Sequence, residues 1–316
     1  MPAAALGLGK PMPRLGFGTA SATLGQAEGR AGVTQAVLHA LDARYRHFDT
    51  ASSYNTEAAV GDAVAQALRA GKIASRDDLY ITTKLLIANA HPRRVLPALQ
   101  KSLRNLGMEY VDMYLIHFPV SMRPAAVEGV IMVVKDDLVE MDMKGVWEEM
   151  EECHRRGLAR AIGVSNFTCK KLEYLLSFAK IPPAANQVEM HPYCRQNKLR
   201  AFCRDKGIQL CAYSPLGGKR APWANNSVMD SPILEQIAHE KGKTVAQRMQ
   251  ENLEIFGWEL TDDDRRRISA LPESRGTYNF FVHESGPYKT AEEFWDGEIV
   301  AGQSTYQIAA CLDSTN

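Results

Sequence analysis

Short apolar, β-prone runs alternate along most of the chain with longer segments whose apolar residues recur at helical spacing. Arg14-Leu-Gly-Phe-Gly-Thr19 precedes a segment in which Val33, Ala36, Val37 and Leu41 stand at i, i+3, i+4 and i+8, the stripe of a helix with one buried face. Arg46 to Asp49 precedes the Ala-rich stretch from Ala58 to Leu68. Leu79 to Lys84 precedes Val95 to Leu106, and Val111 to His117 precedes a polar insertion and then Trp147 to Arg155. Ala159 to Val164 is followed by Lys171 to Phe178, Ala185 to Glu189 by Lys198 to Arg204, and Ile208 to Tyr213 by Ile233 to Ala246. Strand-like onsets recur at roughly 25 to 33 residues with one longer step, the spacing of βα units, and strict alternation of this kind predicts a (β/α)8 TIM-type barrel.

Two features qualify that fold. An open doubly wound sheet would need a Gly-x-Gly-x-x-Gly turn after the first strand; Gly16-Phe17-Gly18 supplies two glycines, but Ser21 occupies the third position. The count of units also stops short. Where an eighth strand is due, Val245, Met249, Leu253 and Phe256 continue the helical period instead, so the barrel is expected to lack its eighth strand. A capped helix is expected from Thr261-Asp-Asp-Asp264 to about Leu271. The tail beyond it concentrates Tyr278, Phe280, Phe281, Tyr288, Phe294 and Trp295, more aromatic weight than solvent tolerates; it is expected to pack on the barrel or to line a substrate mouth. The whole chain, 1–316, reads as one barrel domain with a C-terminal substrate loop over about 274–316.

Three strand-like runs end in polar groups. His47-Phe48-Asp49 closes on a carboxylate and is followed within one loop by Tyr54; the run from Leu79 closes on Lys84, and the run from Val111 closes on His117. Each has an ordinary structural explanation alone. Parallel adjacent strands, however, bring all four groups to one end of the sheet, where such folds place their chemistry. A tyrosine of ordinary acidity, pKa about 10, is a poor acid or base at neutral pH. Lys84 is therefore expected to favour the phenolate, with Asp49 holding the ammonium by a charge-assisted hydrogen bond. His117 is expected to orient and donate to a carbonyl oxygen while Tyr54 gives up its proton. No side chain is placed as a nucleophile for the carbon; a hydride from a reduced nicotinamide fits.

Composition narrows the partners. Lysine plus arginine and aspartate plus glutamate both number 37, so no basic arm or acidic tail points to nucleic acid or membrane, and a small molecule is the expected partner. The six cysteines show no Cys-x-x-Cys spacing, as expected of reduced thiols; no metal site is indicated. The glycine-rich amino terminus lacks a signal h-region, and no run has the length of a membrane span. A cytoplasmic location is expected by elimination, and a monomer is expected.

The motif series Asp49-Thr-Ala-Ser-Ser-Tyr54, Lys84-Leu85, Leu115-Ile-His117-Phe-Pro119, Gly163-Val-Ser-Asn-Phe167, Asn186-Gln-Val-Glu189 and Tyr213-Ser-Pro-Leu216 resembles that of the aldo-keto reductases, in order and over almost the whole chain. The resemblance is to the plant branch. The stretch from Gly18 to Gln26 with Val139-Glu-Met-Asp-Met143 looks most like the deoxymugineic acid synthase group of grasses, which reduces a 3″-keto intermediate of phytosiderophore biosynthesis with NADPH; ketone reductases of the chalcone and codeinone type share the motifs. The resemblance implies a tetrad of Asp49, Tyr54, Lys84 and His117. It implies that Ser165, Asn166 and Gln187 hold the nicotinamide carboxamide, that Tyr213 stacks on the ring, and that Ser214 and Leu216 touch the pyrophosphate. Gly18, Thr19 and Asp49 are further cofactor contacts that the resemblance implies. Arg248, Glu251 and Asn252 match an Arg-x-x-Glu-Asn grip on the 2′-phosphate and adenine, a use that suits the guanidinium fork. Leu86 and Phe118 stand where tryptophans often wall the pocket, and Trp223 is a further substrate-side candidate. Between Gln247 and Arg248 relatives carry roughly thirty further residues, about one βα unit, including a Lys-Ser pair for the 2′-phosphate. Their absence leaves an inactive or cofactor-poor variant as the alternative reading.

Overall fold

The computed structural model describes residues 10–20, 27–123, 135–218, 228–242, 259–276 and 279–298. In chain order these form β1 (Phe17–Gly18), α1 (Ala27–Asp42), β2 (His47–Asp49), α2 (Glu57–Arg69), β3 (Tyr80–Leu85), α3 (Val95–Leu106), β4 (Val111–Ile116), β5 (Ser121–Met122), β6 (Leu138–Val139), α4 (Met143–Arg155), β7 (Ala159–Ser165), α5 (Cys169–Leu176), β8 (Ala185–Glu189), α6 (Asn197–Asp205), β9 (Gln209–Tyr213), α7 (Pro232–Glu240), α8 (Asp262–Ser269) and α9 (Ala291–Phe294). Seven strands join in one parallel sheet in the order β1-β2-β3-β4-β7-β8-β9. Neighbours in sequence are neighbours in space, the winding of a (β/α) barrel.

Every residue of β3 and β4 is buried, because helices cover the outer face and the barrel interior closes the inner one. Outward residues such as Phe48, Ile81, Tyr114 and Ile162 pack with Val37 and Leu41 of α1, Val60 and Val64 of α2, Leu99 of α3, Val146 and Met150 of α4 and Leu172 of α5. The helices start and stop on local signals. α3 ends at Gly107 with φ +63°, the left-handed cap that glycine takes without strain. Asp142 caps α4 through Gly145 N, at 2.9 Å.

The inward set of each strand, at a period of two, positions the site. Tyr80, Met113, Leu115, Ala161 and Ala185, with Met12 and Cys211 against them, form a small apolar plug inside the barrel. On the same period, further toward or just past the carboxyl ends of these strands, stand Lys84, His117, Ser165, Gln187 and Tyr213. The polar groups therefore stand on an apolar floor at the carboxyl ends of the strands. Space there is tight: a Cβ on Gly163 would lie 2.6 Å from the Ala185 carbonyl oxygen and 2.9 Å from Leu115.

The expected strand order holds, and among the described residues no strand joins β1 to β9, as the short count of βα units anticipated. The helical stretch expected beyond residue 243 lies outside the described residues. The segment read as a polar insertion after His117 is partly apolar and buried: Val120, Ser121 and Met122 are enclosed, and β5 pairs with β6 antiparallel. Strands of two residues leave no periodicity to read. The capped helix at Thr261 is present as α8, with a reciprocal cap between Thr261 and Asp264.

The aromatic tail packs on the barrel, as expected. Phe281, Phe294 and Trp295 are buried with Ile87, Ala88, Val120, Met122 and Leu138, and Leu86, Phe118 and Phe280 border the same cluster. Polar contacts fix its end. Lys171 Nζ donates to Asp296 at 2.5 Å and to the Phe294 carbonyl at 2.6 Å, Thr168 donates to Asp296 at 2.5 Å, and the Cys169 amide donates to Glu298 at 3.0 Å.

Candidate active site

Asp49 ends β2 directly opposite Thr82 of β3, two residues before Lys84. The fully buried Lys84 Nζ accordingly reaches Asp49 Oδ1 at 2.5 Å, donates to the Thr50 carbonyl at 3.0 Å, and lies 4.8 Å from the Tyr54 ring centroid. Tyr54 arrives from a one-turn 3-10 helix, residues 52–54, closed by Asn55 at φ +55°, a conformation that asparagine tolerates well. Its Oη lies 3.4 Å from His117 Nε2, and the two rings meet edge to face with centroids 5.5 Å apart. The four residues singled out in the sequence thus converge.

Electrostatics differ from the expectation at one point. Tyr54 was expected to be favoured as phenolate by Lys84. Burial instead pushes its pKa above the ordinary 10; Lys84 pulls it down but does not win, and Asp49 opposes Lys84. Burial also presses on Lys84, but Asp49 and Tyr54 outweigh it and carry its pKa above the ordinary 10.5. Burial, with Lys84 adding to it, drives His117 well below 6.5. At neutral pH the site therefore contains a neutral phenol, an ammonium and a neutral imidazole.

The residues expected at the nicotinamide form a second, connected group. Ser165 Oγ donates to the Gln187 carbonyl at 2.7 Å, and Asn166 Nδ2 donates to the His117 carbonyl at 3.0 Å and to Ser165 Oγ at 3.1 Å. Asn166 has φ +64°, which turns its side chain back under His117. Tyr213 donates to Asn166 Oδ1 at 2.9 Å, orienting its ring at the end of β9. Gln187 Nε2 donates to Asp49 Oδ2 at 2.8 Å, joining the two groups through one carboxylate. A carboxamide needs both donors and acceptors, and this set of a carboxamide, a hydroxyl, an asparagine and an aromatic face fits the nicotinamide end of a dinucleotide.

Thr19 closes the β1 side, its amide and hydroxyl donating to the Asp49 carbonyl at 2.9 and 3.0 Å; Gly18 precedes it, paired with Asp49. Ser214, at φ +48°, and the exposed Leu216 follow β9. Phe118 stacks on His117 with centroids 4.8 Å apart and tilts against Phe281 at 4.3 Å; with Leu86 it borders the tail cluster. Trp223, Arg248, Glu251 and Asn252 lie outside the described residues. The sequence reading missed Ser53, whose Oγ lies 3.3 Å from His117 Nδ1, and the bond from Gln187 to Asp49. Ser53 carried one signal, its place beside Tyr54 in the same turn.

A parallel barrel with a carboxylate, lysine, phenol and imidazole at its strand ends has the makings of an oxidoreductase that handles a carbonyl group. The chain belongs to the aldo/keto reductase family, whose model matches residues 14–247, and is accordingly an NAD(P)H-dependent oxidoreductase. It is 52% identical to deoxymugineic acid synthase 1 of Oryza sativa subsp. japonica, covering 94% of this chain and 98% of the relative. It is 48% identical to the (1S)-1,7-diacetoxy-luvungin A aldo-keto reductase of Citrus sinensis, covering 92% and 96%. The crystal structure of a Bombyx mori aldo-keto reductase in complex with NADP superposes with a TM-score of 0.71 at 34% identity, covering 83% of this chain and 89% of that one. The alignment with the rice protein runs over 319 positions, more than the 316 residues of this chain, so the relative has positions without a counterpart here.

Proposed function

We propose that this protein is an NADPH-dependent carbonyl reductase acting on a keto acid of the kind its deoxymugineic acid synthase relatives handle, with Tyr54 as proton donor. The supporting observation is the Asp49–Lys84 pair at 2.5 Å, with the Tyr54 ring against the ammonium and His117 Nε2 3.4 Å from the Tyr54 hydroxyl. NADPH would supply the hydride, held at its nicotinamide end by Ser165, Asn166, Gln187 and Tyr213; Gly18, Thr19, Ser214 and Leu216 border the same rim. Tyr54 Oη gives its proton to the carbonyl oxygen, His117 positions that oxygen, and the Lys84 ammonium stabilises the phenolate left behind. Asp49 keeps Lys84 charged and in place. Leu86, Phe118 and the tail from Phe280 onward wall the substrate, in a cytoplasmic monomer of one barrel domain.

The test follows NADPH absorbance with the 3″-keto acid precursor of deoxymugineic acid and, in parallel, with chalcone- and codeinone-type ketones. Turnover greatest on the keto acid supports the reading; folded protein without turnover on any of them removes it. A second reading, a cofactor-poor relative, draws on the positions of the rice protein that have no counterpart here and on the lack of a described strand between β1 and β9. Micromolar NADPH affinity by fluorescence titration would exclude it.

A further inference from the structure

Two consecutive residues grip the two nitrogens of one imidazole. Ser53 Oγ stands 3.3 Å from His117 Nδ1, and Tyr54 Oη stands 3.4 Å from Nε2. The turn of residues 52–54 sets them side by side, its Tyr54 amide bonded to the Ala51 carbonyl at 3.0 Å. The ring plane is also held by Phe118 stacked at 24°, and the His117 backbone by Asn166 on its carbonyl.

A neutral imidazole carries a single N–H, and the partner at one nitrogen decides the role of the other. If the proton sits on Nδ1, it is spent on Ser53, and Nε2 is left as an acceptor that draws the Tyr54 proton toward itself. With the proton on Nε2, the ring donates into the site, the Tyr54 hydroxyl hydrogen is free for a carbonyl oxygen, and Nδ1 needs a donor. Among the described residues Ser53 supplies the hydrogen bond at Nδ1.

We propose that Ser53 is a positioning residue whose hydroxyl donates to His117 Nδ1 and thereby holds the imidazole in the Nε2–H form that can donate to a carbonyl oxygen. The inference rests on the reductase reading for its use, but it concerns a proton position that is observable without turnover. Burial and the Lys84 ammonium keep the ring neutral, so one tautomer or the other is present across the neutral range. Serine is suited to the place because a hydroxyl rotates to donate or accept as its neighbour requires.

Long-range 1H–15N correlation spectra of the uniformly 15N-labelled protein with NADP⁺ report the tautomer of each of the 8 histidines, the His117 signals being assigned by their loss in His117→Gln. The expected pattern for His117 is Nε2–H, shifting toward Nδ1–H or a mixture in Ser53→Ala and returning in Ser53→Thr. Ser53→Ala is expected to lower kcat roughly tenfold, the scale of one neutral hydrogen bond, with NADPH affinity unchanged and kcat recovered in Ser53→Thr. An Nδ1–H tautomer in the wild-type protein overturns the inference, as does a Ser53→Ala protein with the same tautomer and the same kcat. A protein that turns over no carbonyl substrate yet shows the Ser53-dependent tautomer removes the reductase reading and leaves the positioning intact.

Discussion

Tyr54 shows how burial and charge compete at one atom. Its hydroxyl is taken out of water together with Lys84, and withdrawal from solvent disfavours the phenolate more than the ammonium favours it. The phenol thus stays protonated well above neutral pH, as the proposed proton donor requires, and on that proposal Lys84 matters once the proton has left. Removing the hydroxyl should remove the donor and little else. Tyr54→Phe is expected to lose about 10²–10⁴-fold in kcat while NADPH affinity, measured by fluorescence quenching, changes less than about twofold, the ring being kept. That Tyr54, Asp49, Lys84 and His117 meet was legible in the sequence because the last three each end an apolar run at the inward period. The sequence did not show the direction of the Tyr54 shift, which depends on how many neighbours exclude water. Nor did it show the Ser53 contact, which depends on a turn only three residues long.

Among the elements, the strands differ in how fully they are enclosed. β3 and β4 are buried throughout, with a paired strand on either side, whereas β9 is partly exposed along its length and pairs only with β8 among the described residues. Hydrogen exchange is expected to follow that order: amides of β3, β4 and β7 should exchange by global unfolding, and those of β9 orders of magnitude faster through local opening. Equal protection of β9 and β4, by mass spectrometry of fragments, would contradict it. The βα alternation was legible because strand and helix periods differ so clearly. β5 and β6 were not, since two-residue strands have no period, and the burial of Val120 to Met122 comes from the tail packed over them, a contact between segments far apart in sequence.

For the molecule as a whole, the buried histidines set an acid limit. Burial lowers the pKa of His47, despite Asp49 pulling the other way, and lowers that of His117 further with help from Lys84. Both groups take up protons near pH 6.5 in the unfolded chain but only at lower pH in the folded one. The unfolded state then binds more protons below 6.5, so stability is complete above that pH and declines as pH falls beneath it. The depressed carboxylates of Asp296 and Glu189 act in a lower window, below their ordinary pKa values. Urea midpoints are therefore expected to be flat from pH 7 to 8 and to fall between pH 6.5 and 5, less so in His47→Gln if its side chain amide keeps the bond to Thr82, seen at 2.9 Å. The tail carries a consequence of another kind. Asp296 and Glu298 are bonded to Lys171, Thr168 and Cys169, a few residues past Ser165 and Asn166, while Phe281 rests on Phe118 beside His117. On the proposed function this one covalent segment touches both the nicotinamide side and the substrate wall, so dinucleotide and ketone occupancy are expected to favour each other by a shared factor whichever enters first. Calorimetric titration of NADP⁺ with and without the alcohol product should show that factor, and Asp296→Asn should bring it toward one.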